Sequence, residues 1–229
     1  AVGAPNDVRV ADFQGSARAG TNALHSASDV VKAGGTALVV GADAIPVDRG
    51  DPGEQVSGAG AGAVVLDSKG DIATFNISVA NTNGFIGRFR TKNDNFTIGD
   101  DRFNRHVYTK TVSETIQDVG SDEFDHAVLP APNSDWGRRA LEETTVNAEL
   151  RTAFENVGYI GAAGTFLDLA VAMEEANPGE KLLIVSYGAG GSDAFTMTTD
   201  KGVENPPATK PSTHIDSKEY ITYAKHLDY

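Results

Sequence analysis

The sequence contains no cysteine. This absence excludes disulfide bonds, thiolate metal sites and a cysteine nucleophile. Long hydrophobic runs are also absent: no stretch reaches the roughly 18 apolar residues that a membrane-spanning helix needs. The chain starts at Ala1 without a signal-peptide pattern, and we therefore expect a cytoplasmic protein.

Cations are scarce relative to anions. Lys and Arg total 19 against 32 for Asp and Glu, which gives a formal net charge of -13. Because nucleic-acid and anionic-membrane binding need clustered cations, this balance argues against both kinds of partner. The acidic residues are spread along the chain, and a halophilic, salt-adapted source is our preferred explanation. An ordinary acidic cytosolic protein is the alternative.

The 229 residues, 40% of them hydrophobic, suffice for one large domain or two small ones. Apolar periodicity predicts helices over residues 18–32, 107–120, 136–155 and 161–176. It predicts strands over residues 8–13, 36–40, 60–66, 72–79, 124–129, 182–187 and 195–199. Residues 81–105 and 201–213 are read as irregular, and residues 220–229 as a short helix or strand. This order favours mixed sheets with helices packed on their faces, and the two halves resemble each other.

The segment over residues 159–195 is the most informative part of the chain. It reads YIGAAGTFLDLAVAMEEANPGEKLLIVSYGAGGSDAF. A glycine-rich turn leads into an apolar helix, a Pro-Gly turn ends the helix, and a buried strand leads to a second glycine-rich turn. Two loops of closely approaching backbone are therefore predicted at the ends of a helix and a strand, where an active site could lie.

Four segments carry a resemblance to a known family. They are SARAGTNAL from Ser16, ALVVGADA from Ala37, DPGEQVSGAGAGAVV from Asp51 and VSYGAGGSDAF from Val185. In content, order and spacing these segments resemble the thiolase superfamily, and most closely the archaeal type of hydroxymethylglutaryl-CoA (HMG-CoA) synthase.

The resemblance implies a fold and a chemistry. We expect a thiolase-like α/β fold of αβαβα layers with mixed sheets, whose first strands are missing from this chain. Residues 1–106 would be the remainder of the N-terminal half and residues 107–229 the C-terminal half. Family members transfer an acetyl group from acetyl-CoA to a cysteine and condense it with acetoacetyl-CoA, in the mevalonate pathway. A coenzyme A thioester is therefore the expected substrate or ligand, with no covalently bound cofactor.

The catalytic positions of the family are altered here. The family's nucleophilic cysteine aligns with Ala17, and its catalytic histidine aligns with Pro130. The family's acid belongs to a region upstream of this chain. Ser16 is a weak substitute nucleophile, because a serine needs a base, and its other interpretation is an N-cap of the following helix. Whether the chain is an enzyme is left open.

The expected substrate-binding residues flank these positions. Arg18 replaces the lysine that follows the family's cysteine, and it could meet a CoA phosphate or lie on a solvated surface. The second glycine turn supplies the other candidates, Gly188, Ala189, Gly190 and Ser192. These residues either approach a ligand or form a strand-to-strand turn that needs positive φ angles.

No metal site is expected, because the histidines do not have a metal-binding spacing; they are His25, His106, His126, His214 and His226. Two functions are consistent with the sequence. The first is an HMG-CoA-synthase-like protein that condenses acyl-CoA thioesters. The second is an inactive thiolase-like subunit that binds acyl-CoA, or docks a thiolase and a zinc-ribbon/OB-fold protein. We also expect a homodimer or a hetero-complex, with residues 36–40 at the dimer contact.

Overall fold

The computed structural model describes residues 3, 5–93, 99–205 and 209–226, with the side chain of residue 77 left out. Its helices are α1 (Ala19–Lys32), α2 (Asp101–Asp118), α3 (Ser134–Glu142), α4 (Phe154–Val157), α5 (Gly164–Glu175), α6 (Pro211–Asp216) and α7 (Tyr223–His226). Its strands are β1 (Ala37–Ala44), β2 (Ala59–Leu66), β3 (Ala73–Thr82), β4 (Glu123–Val128), β5 (Asn147–Leu150), β6 (Lys181–Gly188) and β7 (Gly191–Thr199). Short 3-10 helices cover Pro52–Gln55, Gly161–Ala163 and Lys201–Glu204. None of the described helices combines the length and apolar character that crossing a bilayer requires.

The strands form two sheets. β1 and β2 make an antiparallel pair, and the other five strands follow the order β3-β7-β6-β4-β5. In the larger sheet β4 runs parallel to β5 and β6, whereas β7 is antiparallel to both of its neighbours. The larger sheet is therefore mixed, as the order of predicted elements indicated.

The elements stack in layers around two apolar clusters. One cluster joins α1 and α5 to both sheets, through side chains such as Leu24, Phe166, Val39 and Phe195. The other cluster packs α2 and α3 on the opposite face of the larger sheet, around Tyr108 and other buried side chains. The described residues thus supply four layers in the order αβαβ, and the predicted thiolase-like layered α/β fold is confirmed.

Phe166 of α5 determines how closely the middle helices approach the small sheet. A Cβ added to Gly20 would lie 2.5 Å from the Phe166 ring, and one added to Gly62 would lie 2.7 Å from the Phe166 Cβ. A Cβ at Gly41 would also collide with this ring. The three glycines come from α1, β2 and β1, so a single aromatic ring explains part of the glycine pattern in all three elements.

Two predicted elements are wrong. Residues 8–13 form no strand, and Val8 and Val10 in this segment are exposed, so the alternating pattern has no sheet to join. The helix predicted over residues 136–155 ends at Glu142, and β5 follows it. β5 pairs with the edge of β4 at Glu123, His126 and Ala127, and this tertiary contact overrides the local preference for helix.

The structure also changes the bounds of other elements predicted from the sequence. α2 begins at Asp101 rather than at residue 107, because the Asp100 side chain accepts a hydrogen bond from the Phe103 amide and caps the helix. Residues 201–204 and 211–216 are helical, although we predicted irregular structure there, and the part over residues 206–208 lies outside the described residues. The predicted C-terminal element is α7, and residues 227–229 likewise lie outside the described residues.

The proposed division after residue 106 stays a prediction. β3 precedes that division, yet it pairs with β7 in the larger sheet. Two similar helix-and-hairpin units are visible, α1-β1-β2 and α5-β6-β7, and each helix is followed by an antiparallel pair. This repetition agrees with the similarity of the two halves in the sequence.

α5 carries a buried carboxylate. The Asp168 side chain is about 5% exposed, and its Oδ1 accepts a 2.7 Å hydrogen bond from the Ala153 amide. Burial raises the pKa of this carboxyl to about 7, against the lowering effect of hydrogen bonds from Ala153 and Thr152. The folded protein therefore binds a proton at Asp168 more tightly than the unfolded chain does.

We predict that the free energy of unfolding falls as the pH rises from about 4 to about 7. Over this range the unfolded chain has already lost the Asp168 proton, whereas the folded protein still holds it. The expected slope from this group is about 1 kcal/mol per pH unit. Urea denaturation between pH 5 and pH 8 measures it, and Asp168→Asn should flatten the curve. The exposed Asp29→Asn serves as the control. An unchanged slope in Asp168→Asn would show that another group causes the dependence.

Candidate functional site

A cavity of about 420 Å³ lies where the start of α1 meets the β6–β7 hairpin. The turn before α1, the segment after β3 and the 3-10 helix before α5 also line it, together with the end of β1 and residues of α2 and α3. Ser16, Ala17, Gly188 and Ala189, four of the residues singled out in the sequence, line this cavity. Its size is typical of small-molecule sites.

The turn before α1 and the glycine-rich β6–β7 hairpin are in direct contact. A Cβ added to Gly188 would lie 3.0 Å from the Ala17 amide nitrogen and 2.8 Å from the Arg18 amide nitrogen. Any larger residue at position 188 would therefore push the turn before α1 away. The structure thus brings together Ala17 and the hairpin, which the sequence places 171 residues apart (188 − 17).

The turn before α1 leaves one amide unused. Within the described part of the chain, the Ala17 N–H donates no hydrogen bond, whereas the Ala19 amide donates to the Ser16 carbonyl at 3.0 Å. The Ser16 Oγ accepts a 3.2 Å hydrogen bond from the Arg18 amide, and it thus stabilises the turn that precedes the helix. Arg18, and not Ser16, occupies the N-cap position of α1. The free Ala17 amide lies at the positive end of the α1 dipole.

The β6–β7 hairpin has a two-residue loop. Gly188 pairs with Gly191, and the loop residues Ala189 and Gly190 have φ angles of 50° and 76°. Positive φ at both positions is the signature of a type I′ turn. A Cβ at Gly190 would lie 2.5 Å from the Asn83 carbonyl oxygen, so only glycine fits there. The positive φ angles predicted for this turn are present.

Arg18 is turned inward. Its Nη1 forms a 2.9 Å ion pair with Asp193 Oδ1, and its Nε donates a 3.2 Å hydrogen bond to the Gly188 carbonyl. Thr21 Oγ1 donates to the other oxygen of Asp193 at 2.7 Å. The side chains of Arg18 and Asp193 are 17% and 2% exposed. The guanidinium is therefore largely buried against the hairpin, and we interpret it as a residue that positions the hairpin. Its expected role toward a CoA phosphate stays a prediction.

Two other predicted residues lie away from the cavity wall. Ser192 is fully buried, and its Oγ has no hydrogen-bond partner among the described residues. Because it precedes Asp193 on β7, its side chain lies on the opposite face of the sheet from the Arg18 ion pair. Pro130 lines a small neighbouring cavity together with Asp168, whereas Pro132 lines the large one. The predicted roles of both residues stay predictions.

The sequence reading missed several polar residues of the cavity wall, among them Asp43, Arg88, Asn104 and Tyr159. Asp43 Oδ2 accepts a 3.0 Å hydrogen bond from the Ala162 amide. Burial raises the pKa of Tyr159 to about 12, with the nearby charge of Arg88 opposing the shift and that of Asp43 adding to it. Asp43 belongs to the motif ALVVGADA and Tyr159 begins the segment over residues 159–195, whereas Arg88 and Asn104 have no local motif that could have marked them.

Three of the histidines have side-chain contacts within the described part of the chain, and one of them is His226, whose Nε2 lies 3.2 Å from Glu54 Oε1. The His25 ring lies 4.6 Å from the Phe195 ring, and its Nδ1 is 3.2 Å from Ser78 Oγ. His126 is buried; its Nε2 lies 2.9 Å from a Glu180 oxygen, and its Nδ1 accepts from Arg151 Nε. No group of three possible metal-binding side chains was found within the described ranges.

The comparisons with known proteins agree with these observations. The chain is 27% identical to the hydroxymethylglutaryl-CoA synthase of Methanopyrus kandleri, over 99% of this chain and 69% of that protein. It is 29% identical to the Methanocella arvoryzae protein of the same name, over 100% and 69%. The chain resembles the archaeal HMG-CoA synthases. No family model matches it.

Solved structures support the thiolase-like fold of this HMG-CoA-synthase-like chain. A structure of MvaS in complex with 3-hydroxy-3-methylglutaryl coenzyme A superimposes with a TM-score of 0.83 at 17% identity, over 98% of this chain and 67% of that one. An HMG-CoA synthase complexed with CoA gives 0.79 at 20% identity, over 96% and 63%. The 3-oxoacyl-[acyl-carrier-protein] synthase III of Aquifex aeolicus gives 0.73 at 20% identity, over 84% and 68%. The chain therefore spans about two thirds of the length of its relatives.

We predict that Asp193→Ala destabilises the protein by about 3 kcal/mol, because it leaves the Arg18 guanidinium largely buried without its anion. Urea denaturation measures the change. Asp29→Ala is the matched control: it removes an aspartate that pairs with Lys32, but this pair is about three quarters exposed and should contribute little. Equal effects of the two substitutions would show that the buried pair does not hold the hairpin to α1.

Proposed function

We propose that this HMG-CoA-synthase-like chain binds a coenzyme A thioester in the 420 Å³ cavity without becoming acylated. The observation that carries the proposal is Ala17, which stands at the nucleophile position with a methyl group and an unpaired amide. An unpaired N–H at the start of a helix is suited to a thioester carbonyl oxygen. A methyl group has no lone pair with which to attack the same carbonyl.

The cavity wall offers little to replace the lost chemistry. Ser16 is the one hydroxyl next to the nucleophile position, and its Oγ is occupied by the Arg18 amide. No histidine is among the described residues that line the cavity. Without a base within reach, a serine hydroxyl is a poor nucleophile at neutral pH. These features favour the second of the two functions expected from the sequence, an inactive subunit that binds acyl-CoA.

A second candidate is condensation of acyl-CoA thioesters with the help of another polypeptide. It is favoured by full-length alignment of this chain to proteins named hydroxymethylglutaryl-CoA synthase, whose length it covers to about 69%. In this case a partner would supply the nucleophile and the acid. A thiolase and a zinc-ribbon/OB-fold protein are the partners that the family resemblance suggests.

We expect the native chain to form no covalent adduct with radiolabelled acetyl-CoA, whereas Ala17→Cys should form one that survives denaturation. The α1 dipole and the unpaired amide of residue 17 lower the pKa of a thiol placed there, which increases the share of reactive thiolate. Scintillation counting of the denatured protein, and intact mass spectrometry, measure the adduct. Both proteins should bind CoA in equilibrium dialysis.

The control is Ser26→Cys, on the exposed side of the same helix. This variant tests whether any added thiol becomes acylated. A labelled native chain would overturn the proposal that the site is not acylated. Failure of both the native chain and Ala17→Cys to bind CoA would overturn the thioester site itself.

The small sheet supports the expectation of an oligomer or a hetero-complex. One face of the β1–β2 pair is exposed along its whole length and consists of apolar residues. They are Leu38, Val40, Ala42, Ala44, Ala59, Ala61, Ala63 and Val65. An exposed apolar face of this extent favours burial against another polypeptide. We therefore keep residues 36–40 as the proposed contact.

The proposed contact predicts self-association that charges on this face abolish. The native chain should sediment as a dimer or larger species, and the double variant Val40→Asp/Val65→Asp as a monomer, because buried aspartates cannot be solvated. Val30→Asp, at an exposed position on α1, is the matched control and should not dissociate the complex. A native chain that sediments as a monomer at all concentrations would contradict the dimer.

A further inference from the structure

Arg88 is the one cationic residue among the described residues that line the cavity. It follows β3 by six positions (88 − 82), next to Ile86 and Gly87, which also line the cavity. The remaining wall is apolar, apart from a few uncharged polar groups and Asp43. In a protein with a net charge of -13, a cation on a cavity wall is a distinctive feature.

Arg88 has a single side-chain partner among the described residues. Its Nη2 forms a 3.0 Å ion pair with Asp101 Oδ1, and no other hydrogen bond of its side chain is found within the described ranges. The Arg88 side chain is 30% exposed and that of Asp101 is 69% exposed. A guanidinium has five N–H donors, so a half-buried one with a single solvated partner can still bind a planar anion.

Asn104 lies beside Arg88 on the same wall. It is about 7% exposed, and its Nδ2 has no hydrogen-bond partner among the described residues. A Cβ added to Gly99 would lie 2.9 Å from Asn104 Nδ2 and 3.1 Å from Arg88 Cγ, so the two side chains are neighbours across Gly99. A buried donor without an acceptor costs stability, and such costs are commonly retained where a ligand is bound.

Asp43 is the one acidic residue among the described residues of the cavity wall, and it does not compete with a ligand for Arg88. Asp43 Oδ2 accepts from the Ala162 amide and its Oδ1 from the Ala44 amide, so backbone N–H groups hold both of its oxygens. The cavity therefore has an acidic residue whose oxygens accept from backbone N–H groups, and a cationic residue whose one ion pair within the described ranges is with a solvated carboxylate. A ligand with an anionic end is favoured with that end at Arg88.

We propose that Arg88, assisted by Asn104, forms an anion-binding subsite of the cavity. It takes an anionic oxygen group of the bound ligand, either a free carboxylate at the acyl end of a thioester or a phosphate of coenzyme A. For the thioester the inference rests on the proposed function, whereas the preference for an anion rests on the side chains themselves.

Four probes separate the two sources of the anion. S-acetylpantetheine carries no charge, S-glutarylpantetheine carries one carboxylate, acetyl-CoA carries only phosphates, and glutaryl-CoA carries both. Isothermal titration calorimetry measures their binding to the native chain and to Arg88→Met. We expect Arg88→Met to weaken at least one anionic probe about tenfold and to leave S-acetylpantetheine unchanged. Loss confined to the glutaryl probes identifies the carboxylate, and loss common to both CoA probes identifies a phosphate.

Two further variants distinguish binding from a structural role. Asp101→Asn removes the carboxylate that competes for Arg88, and it should strengthen anion binding a few-fold. If Arg88 served only to tie its segment to α2, Asp101→Asn would instead weaken binding as Arg88→Met does. Asn104→Leu should weaken the same probe as Arg88→Met and leave the melting temperature unchanged or raised, because an unpaired buried donor is removed. The matched control is Arg102→Met, at an exposed arginine on the first turn of α2.

The outcomes keep this inference separate from the proposed function. If thioesters bind but Arg88→Met weakens all four probes equally, or none of them, the subsite is wrong and the proposed function stands. If no thioester binds, the native chain is titrated with glutarate and with inorganic pyrophosphate. Binding of either anion that Arg88→Met abolishes supports the subsite without the thioester, and binding of neither overturns it.

Discussion

The buried ion pair between Arg18 and Asp193 is the interaction on which the site depends. It joins the first turn of α1 to the β6–β7 hairpin, with Thr21 bonded to the second oxygen of Asp193. Arg18 also holds the Gly188 carbonyl, so one side chain fixes both the strand end and the carboxylate. The cavity lies against this junction, and its shape follows from it. A pair this well buried is tolerated because every oxygen of the carboxylate has a donor.

The layered fold and the glycine-rich β6–β7 turn were predictable from the sequence, because both leave local marks. Apolar periodicity gave α1 and α5, and continuous β-branched runs gave β1 and β6. The glycines at positions 188 and 190 predicted a tight turn. In the structure, a larger residue at position 188 would collide with the Arg18 backbone, and one at position 190 with the Phe85 backbone. Resemblance to archaeal HMG-CoA synthases then placed Ala17 opposite that turn.

Residues whose environment comes from distant elements were not predictable. Nothing near Arg18 in the sequence indicates that its partner is Asp193, and a surface role was equally consistent with the local pattern. Residues 8–13 alternate like a strand but have no sheet beside them, whereas residues 147–150 become a strand because β4 offers an edge. Arg88 and Asn104 come together only through the packing of α2, so no spacing rule could have found them.

Ala189 holds a backbone conformation that is unfavourable for a residue with a side chain. It is the one non-glycine residue with positive φ in the described part of the chain, and it sits at the hairpin tip on the cavity wall. An alanine in that conformation stores about 1 kcal/mol of steric energy that glycine would not. Because Ala189 also lines the cavity, a molecule bound there would meet the hairpin at a residue whose backbone is already strained.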